Sequence, residues 1–124
     1  MIYTSYFGNI RKLPEDAILI SIARSTPKWF KGEALLGLAP SYQLLNEWKK
    51  GNITTTEYER WYRTEVSDRY TYLEEIEEEI LSCVDGELCH DIILLCYEKT
   101  MDFCHRHILA EMMCECGVDV REWE

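Results

Sequence analysis

Cys96-Tyr97-Glu98-Lys99-Thr100-Met101-Asp102-Phe103-Cys104-His105-Arg106 is the densest run of reactive side chains in this sequence. It holds two thiols, an imidazole, a guanidinium and the Glu98 carboxylate. The run leaves an apolar segment (Asp91–Tyr97, DIILLCY) and enters a segment of helical character. A helix that starts there turns its first N–H groups outward, where they attract anions and favour a thiolate. Cys104 is therefore read as a residue of that first turn, with the carboxylate of Glu98 as general acid or base. Arg106 presents a planar fork that suits a carboxylate or phosphate. Arg24 follows a second apolar segment, Ala17–Ala23 (AILISIA), and supplies a further cation. The candidate catalytic residues are Glu98, Cys104 and His105, and the candidate ligand-binding residues are Arg24, Cys96 and Arg106.

Structural roles compete with each assignment. Asp102 can be a helix cap, Cys96 a small buried hydrophobe, and His105 a hydrogen-bonded core histidine on the face of Leu109, Met112 and Met113. Cys83, Cys89, His90, Cys96, Cys104 and His105 are all potential zinc ligands. None of these forms the close Cys-x2–4-Cys pair of a structural site, so neither a metal nor another cofactor is expected. A comparison with phosphatase and sulfurtransferase loops fails, because Arg106 lies ten residues after Cys96 and no glycine intervenes.

The elements that must position these groups can be read from periodicity and punctuation. Ile2–Phe7 reads as a first strand, Ala17–Ala23 and Asp91–Tyr97 as strands covered on both faces, and Val118–Trp123 as a last strand. Residues 24–40 read as a long functional loop with Trp29-Phe30 either covering a planar ligand or plugging the sheet. Ser41 caps a helix through Lys50, and Thr54-Thr55-Thr56-Glu57 is a capping box for the next. Further helices are expected from about Tyr70 to Cys83 and from about Phe103 to Cys116. Asp85-Gly86 marks a turn. Tyr58, Trp61 and Tyr62 read as core, and Glu74–Glu79 as a solvated face. Apolar strands alternating with helices imply a single three-layer α/β domain over residues 1–124, with a mostly parallel sheet of about four strands flanked by helices. Ligands of such sheets sit beyond the carboxyl ends of the strands.

The chain has 124 residues and a formal charge of −10. Residues 1–31 carry five bases against two acids, whereas residues 57–79 carry nine acids against three bases. That balance argues against an extended duplex nucleic-acid track and leaves room for one local anion site. No stretch suits a membrane span or a secretion signal, so a cytoplasmic protein with six reduced thiols is expected.

The run Ile93-Leu94-Leu95-Cys96-Tyr97-Glu98-Lys99, with Phe103-Cys104-His105-Arg106-His107-Ile108-Leu109-Ala110-Glu111, resembles the signature of the domain of unknown function 488 (DUF488) family. Ile20-Ser21-Ile22-Ala23-Arg24 with Pro27 is similar to the family's second strand and its arginine. Phe30-Lys31-Gly32, Leu38-Ala39-Pro40-Ser41 and Tyr58–Glu65 are similar to the middle region of its short single-domain members. Ala23 departs from the valine that many members carry after an aspartate, with Ser21 standing near that aspartate's place. The resemblance implies an α/β fold and marks Arg24, Cys96, Glu98, Cys104, His105 and Arg106, without supplying a substrate. The expected activity is binding, and hydrolysis, of an anionic ligand such as a nucleotide or nucleic-acid component. The alternative is a non-catalytic interaction module whose acidic helices dock a basic partner.

Overall fold

The computed structural model describes residues 1–84, 90–98 and 103–123. The Asp85-Gly86 turn, Cys89 and the Asp102 cap lie outside these described residues. Among the described residues five strands, β1 (Ile2–Tyr6), β2 (Ile18–Ser21), β3 (Glu33–Ala34), β4 (Ile92–Cys96) and β5 (Val120–Glu122), form one parallel sheet in the order β3-β2-β4-β1-β5. Four of them match the expected strands. The fifth, β3, falls inside the expected loop of residues 24–40. Its two residues pair Glu33 with Ile20 and Ala34 with Ser21, too short a segment to show any periodicity.

The described residues form four α-helices: α1 (Tyr42–Lys49), α2 (Thr55–Arg69), α3 (Glu74–Ser82) and α4 (His105–Glu115). Both N-terminal signals operate as written. Ser41 Oγ accepts from the Leu44 N–H at 3.1 Å, and Thr54 and Glu57 close a reciprocal capping box. Gly51 and Gly117 lie past the ends of α1 and α4 at φ +74° and +86°, where a side chain would be strained. The expected start of α3 near Tyr70 moves to Glu74, because Tyr70 closes α2 by donating its N–H to Val66 O at 3.0 Å. Ile76 and Ile80 of α3 are buried and the glutamates of the run are exposed or half-buried. Tyr58 and Tyr62 are core, as expected, and Trp61 packs against them.

The handedness of parallel crossovers decides which face each connection covers. The steps β1→β2 and β2→β3 run one way across the sheet, and β3→β4 and β4→β5 run the other. Right-handed connections therefore put the first pair on one face and the second pair on the other. The second face receives all four helices over Ile2, Ile20, Ile92, Leu94 and Cys96. The first face, over Ile93 and Leu95, is covered by the 3-10 segment Phe7–Lys12 and the chain around Phe30. The expected flanking helices thus gather on one face, and the third layer is thin because its connections carry a 3-10 segment and irregular chain in place of an α-helix. Among the described residues, no helix is long and apolar enough to cross a membrane.

The segment Leu36–Pro40 is tied down through its carbonyls. Tyr62 Oη donates to Leu38 O at 2.6 Å, Arg69 Nη1 to Gly37 O at 2.9 Å and Ala39 O at 2.6 Å, and Arg24 Nε to Pro40 O at 2.8 Å. Tyr62 is fully buried, so losing its hydroxyl leaves a carbonyl without its partner. Tyr62→Phe should cost about 1–3 kcal/mol, measured by chemical denaturation. A cost near zero would show that this tether does not hold the segment.

Candidate functional site

Neighbouring strands whose connections leave toward opposite faces open a crevice at their carboxyl ends. β2 and β4 are such a pair, since β2 continues on the thin face and β4 on the helical face. A cavity of about 160 Å³ lies there. Its floor holds Cys96, Cys104 and His105, and its rim holds Arg24, Lys49 and Glu98. Trp48, Tyr58 and Phe103 form one wall, with ring centroids 4.9–5.4 Å apart. Burial pushes the Tyr58 hydroxyl pKa up, with the Glu98 charge adding to it, so Tyr58 stands as a neutral phenol.

Five of the six sequence-assigned residues converge on this cavity, and Arg106 does not. Expected as a ligand-binding fork, it is fully buried. Its Nε and Nη2 form a fork on Glu122 at 3.1 and 2.8 Å. Nη1 donates to Cys96 Sγ at 2.8 Å and to Glu98 O at 2.5 Å. Glu98 thus meets Arg106 through its backbone, and its side chain turns to the cavity. The physical reason is position: Arg106 lies in the first turn of α4 over the sheet, where a buried cation must find an anion. Glu122 on β5 provides it and also accepts from Thr4 Oγ1 at 2.7 Å. Sequence reasoning missed Glu122 in this role. The alternation of Val118, Val120 and Glu122 on one face of a strand was the available signal.

Arg24 is divided between two tasks. Nε and Nη2 hold the carbonyls of Leu36, Ala39 and Pro40, and the guanidinium lies 5.5 Å from the Tyr42 ring centroid. Among the described residues Nη1 carries no hydrogen bond, and Arg24 lines the cavity. Trp29 and Phe30 do not line it. They pack edge-on against Phe7, at 6.2 and 5.4 Å between centroids, which makes Phe30 the plug of the thin face. Cys104 proves to be the residue that precedes α4, in extended backbone, rather than a member of its first turn.

His105 is the buried, hydrogen-bonded histidine that one of its expected readings described, and it lines the cavity. Its Nε2 lies 2.7 Å from Ile22 O, and a carbonyl only accepts, so Nε2 carries the proton. Nδ1 then presents a lone pair 3.7 Å from Cys104 Sγ. Burial depresses the His105 pKa to about 4, reinforced by the charge of Arg106 and opposed by the Ile22 hydrogen bond. The ring is neutral near pH 7. The sulfurs of Cys96 and Cys104 are themselves in contact, although the sequence predicts six reduced thiols. Their Cα atoms are 7.8 Å apart, wider than the roughly 4.4–6.8 Å that a relaxed disulfide spans. The pair is therefore two sulfurs sharing one site rather than a built cross-link. Spacing along the chain argued against metal ligation, yet the fold brings Cys96, Cys104 and His105 together with ligand atoms all within 4.8 Å. Cys83 and Cys114 stay apart from this group as free thiols.

A sequence model of the DUF488-N3a family, described as an active DUF488-N3 subclade, matches residues 2–117. The chain belongs to the DUF488 family. Nothing among curated proteins or solved structures matches it. In this DUF488 member the matched span includes both strand ends, the cavity and the whole of α4.

The clasp between Arg106 and Glu122 should be structural. Arg106→Met and Glu122→Met should each cost about 3–5 kcal/mol by stranding a buried charge. The double variant should lose clearly less than both costs combined. Chemical denaturation of the four proteins checks this, and strictly additive losses would show that the two side chains act independently.

Proposed function

We propose that this DUF488 protein binds a small anionic ligand carrying a planar ring, such as a nucleotide or a nucleic-acid end, in the cavity between β2 and β4, and hydrolyses it. The observation that carries the reading is the convergence at one strand-end crevice of a cation with an uncommitted N–H group, an aromatic wall and a thiol–imidazole floor. Arg24 Nη1, with Lys49 beside it, holds the anion. Trp48, Tyr58 and Phe103 take the ring by edge and face contacts. Glu98 moves a proton to or from the reacting group, and Cys104 and His105 form the reactive end.

Size and charge restrict the ligand. A cavity of about 160 Å³ is below the roughly 300 Å³ where drug-sized sites begin, so it takes a ring or a terminal group and leaves the remainder of a larger ligand outside. The net charge of −10 disfavours long polyanions and leaves selectivity to the local cations at the rim.

Calorimetric titration with nucleoside monophosphates and small aromatic acids tests the assignment. Arg24→Gln should weaken binding tenfold or more, with circular dichroism confirming the fold, whereas Cys83→Ser should bind as the wild type does. Glu98→Gln should leave affinity within a few-fold and remove turnover. Wild-type affinity in Arg24→Gln, or wild-type turnover in Glu98→Gln, would refute the corresponding role.

A further inference from the structure

Resting on that reading of the cavity as the working end, we propose that Cys96, Cys104 and His105 form a three-ligand metal site for zinc, with its fourth position open to the cavity. Two thiolates and one imidazole are the donor set of a soft, tetrahedral site, and three protein ligands with one open position are the pattern of a catalytic centre.

Four observations support it. The three donor atoms lie within 4.8 Å of one another and all three residues are buried. Cys96 at the end of β4 and Cys104 just before α4 bring their sulfurs to one place, as two ligands of one ion require. The Nε2–H of His105 is held by Ile22 O at 2.7 Å. That outer hydrogen bond is the kind that orients a ligating histidine and leaves its other nitrogen free for the metal. Here the free nitrogen is Nδ1, the one that faces Cys104 Sγ. Finally, Arg106 Nη1 donates to Cys96 Sγ at 2.8 Å, an outer hydrogen bond of the kind that orients a metal ligand. The Arg106 charge is already matched by Glu122, so it does not oppose a dication beside two thiolates.

The chemistry follows from the open position. Water bound there would be acidified, and Glu98 lines the same cavity. Hydrolysis then balances without a further reactant. The water oxygen bonds to the electrophilic atom of the ligand, its proton passes to Glu98, and Glu98 returns it to the leaving group as that bond breaks.

The test uses the whole chain, reduced and purified without chelator under argon. Cobalt(II) or zinc(II) should bind at one equivalent per chain. The cobalt form should show thiolate-to-metal charge transfer and the strong visible bands of a tetrahedral ion. Zinc should shield Cys96 and Cys104 from iodoacetamide, read by peptide mass spectrometry, while Cys114 is alkylated at its metal-free rate. C96S and C104S should each weaken zinc binding at least a hundredfold, and C114S should not change it. The shielding experiment needs no variant, so it decides the matter even if C96S does not fold. Failure of the reduced protein to bind cobalt, equal alkylation with and without zinc, or a Cys96–Cys104 disulfide in protein kept anaerobic would overturn the proposal. Binding of adenosine monophosphate is measured in parallel. Nucleotide bound without metal sinks the metal site alone, and metal bound without any nucleotide binding upholds this site and sinks the ligand assignment.

Discussion

A fully buried guanidinium is the constraint on which the rest of this molecule turns. Arg106 cannot stay under the sheet end without an anion, and Glu122 can reach it only if β5 lies beside β1 in the observed register. The same side chain then touches Cys96 Sγ and the Glu98 carbonyl. One residue thereby joins α4, the end of β4 and the last strand. It sets where Cys96 points and how the chain leaves β4 toward the cavity.

The second determinant is handedness. Right-handed crossovers send the chain to opposite faces after β2 and after β4, and the gap between their carboxyl ends follows from topology alone. Packing then decides what fills it. The helical face is thick enough to bring Trp48, Tyr58 and Phe103 to one wall. The carbonyl tethers from Tyr62, Arg69 and Arg24 hold the Leu36–Pro40 segment against its edge. The thin face contributes Phe7 and Phe30 as cover, and Ala23 of its cluster reaches the cavity lining.

Charge is arranged in the same spirit. Three ionisable groups around the floor are held neutral or paired. His105 is held neutral by burial, Tyr58 is kept a phenol, and Arg106 is paired with Glu122. Arg24 retains an uncommitted N–H group there, and the long acidic run on α3 faces solvent on a different element. A small anion would thus meet a locally positive rim on a chain that is acidic as a whole.

The sequence by itself determined whatever depends on neighbours in the chain. The Ser41 cap, the Thr54 capping box, the closing glycines and the apolar runs of β2 and β4 act over a few residues, so pattern reading placed them within a residue or two, apart from the start of α3. It also carried the α/β class and put five of its six candidate residues at one cavity, because strand ends and helix starts come together where a parallel sheet opens. Only the tertiary structure decided the remainder. Arg106 and Glu122 are separated by a helix and a turn, and nothing local says that one will bury itself against the other. Cys96, Cys104 and His105 have no metal-like spacing, and they meet because a strand end and a helix start are packed side by side. Strand β3 exists only because β2 offers it an edge. Long-range pairing of this kind is set by packing and desolvation, which leave no periodic trace in the chain.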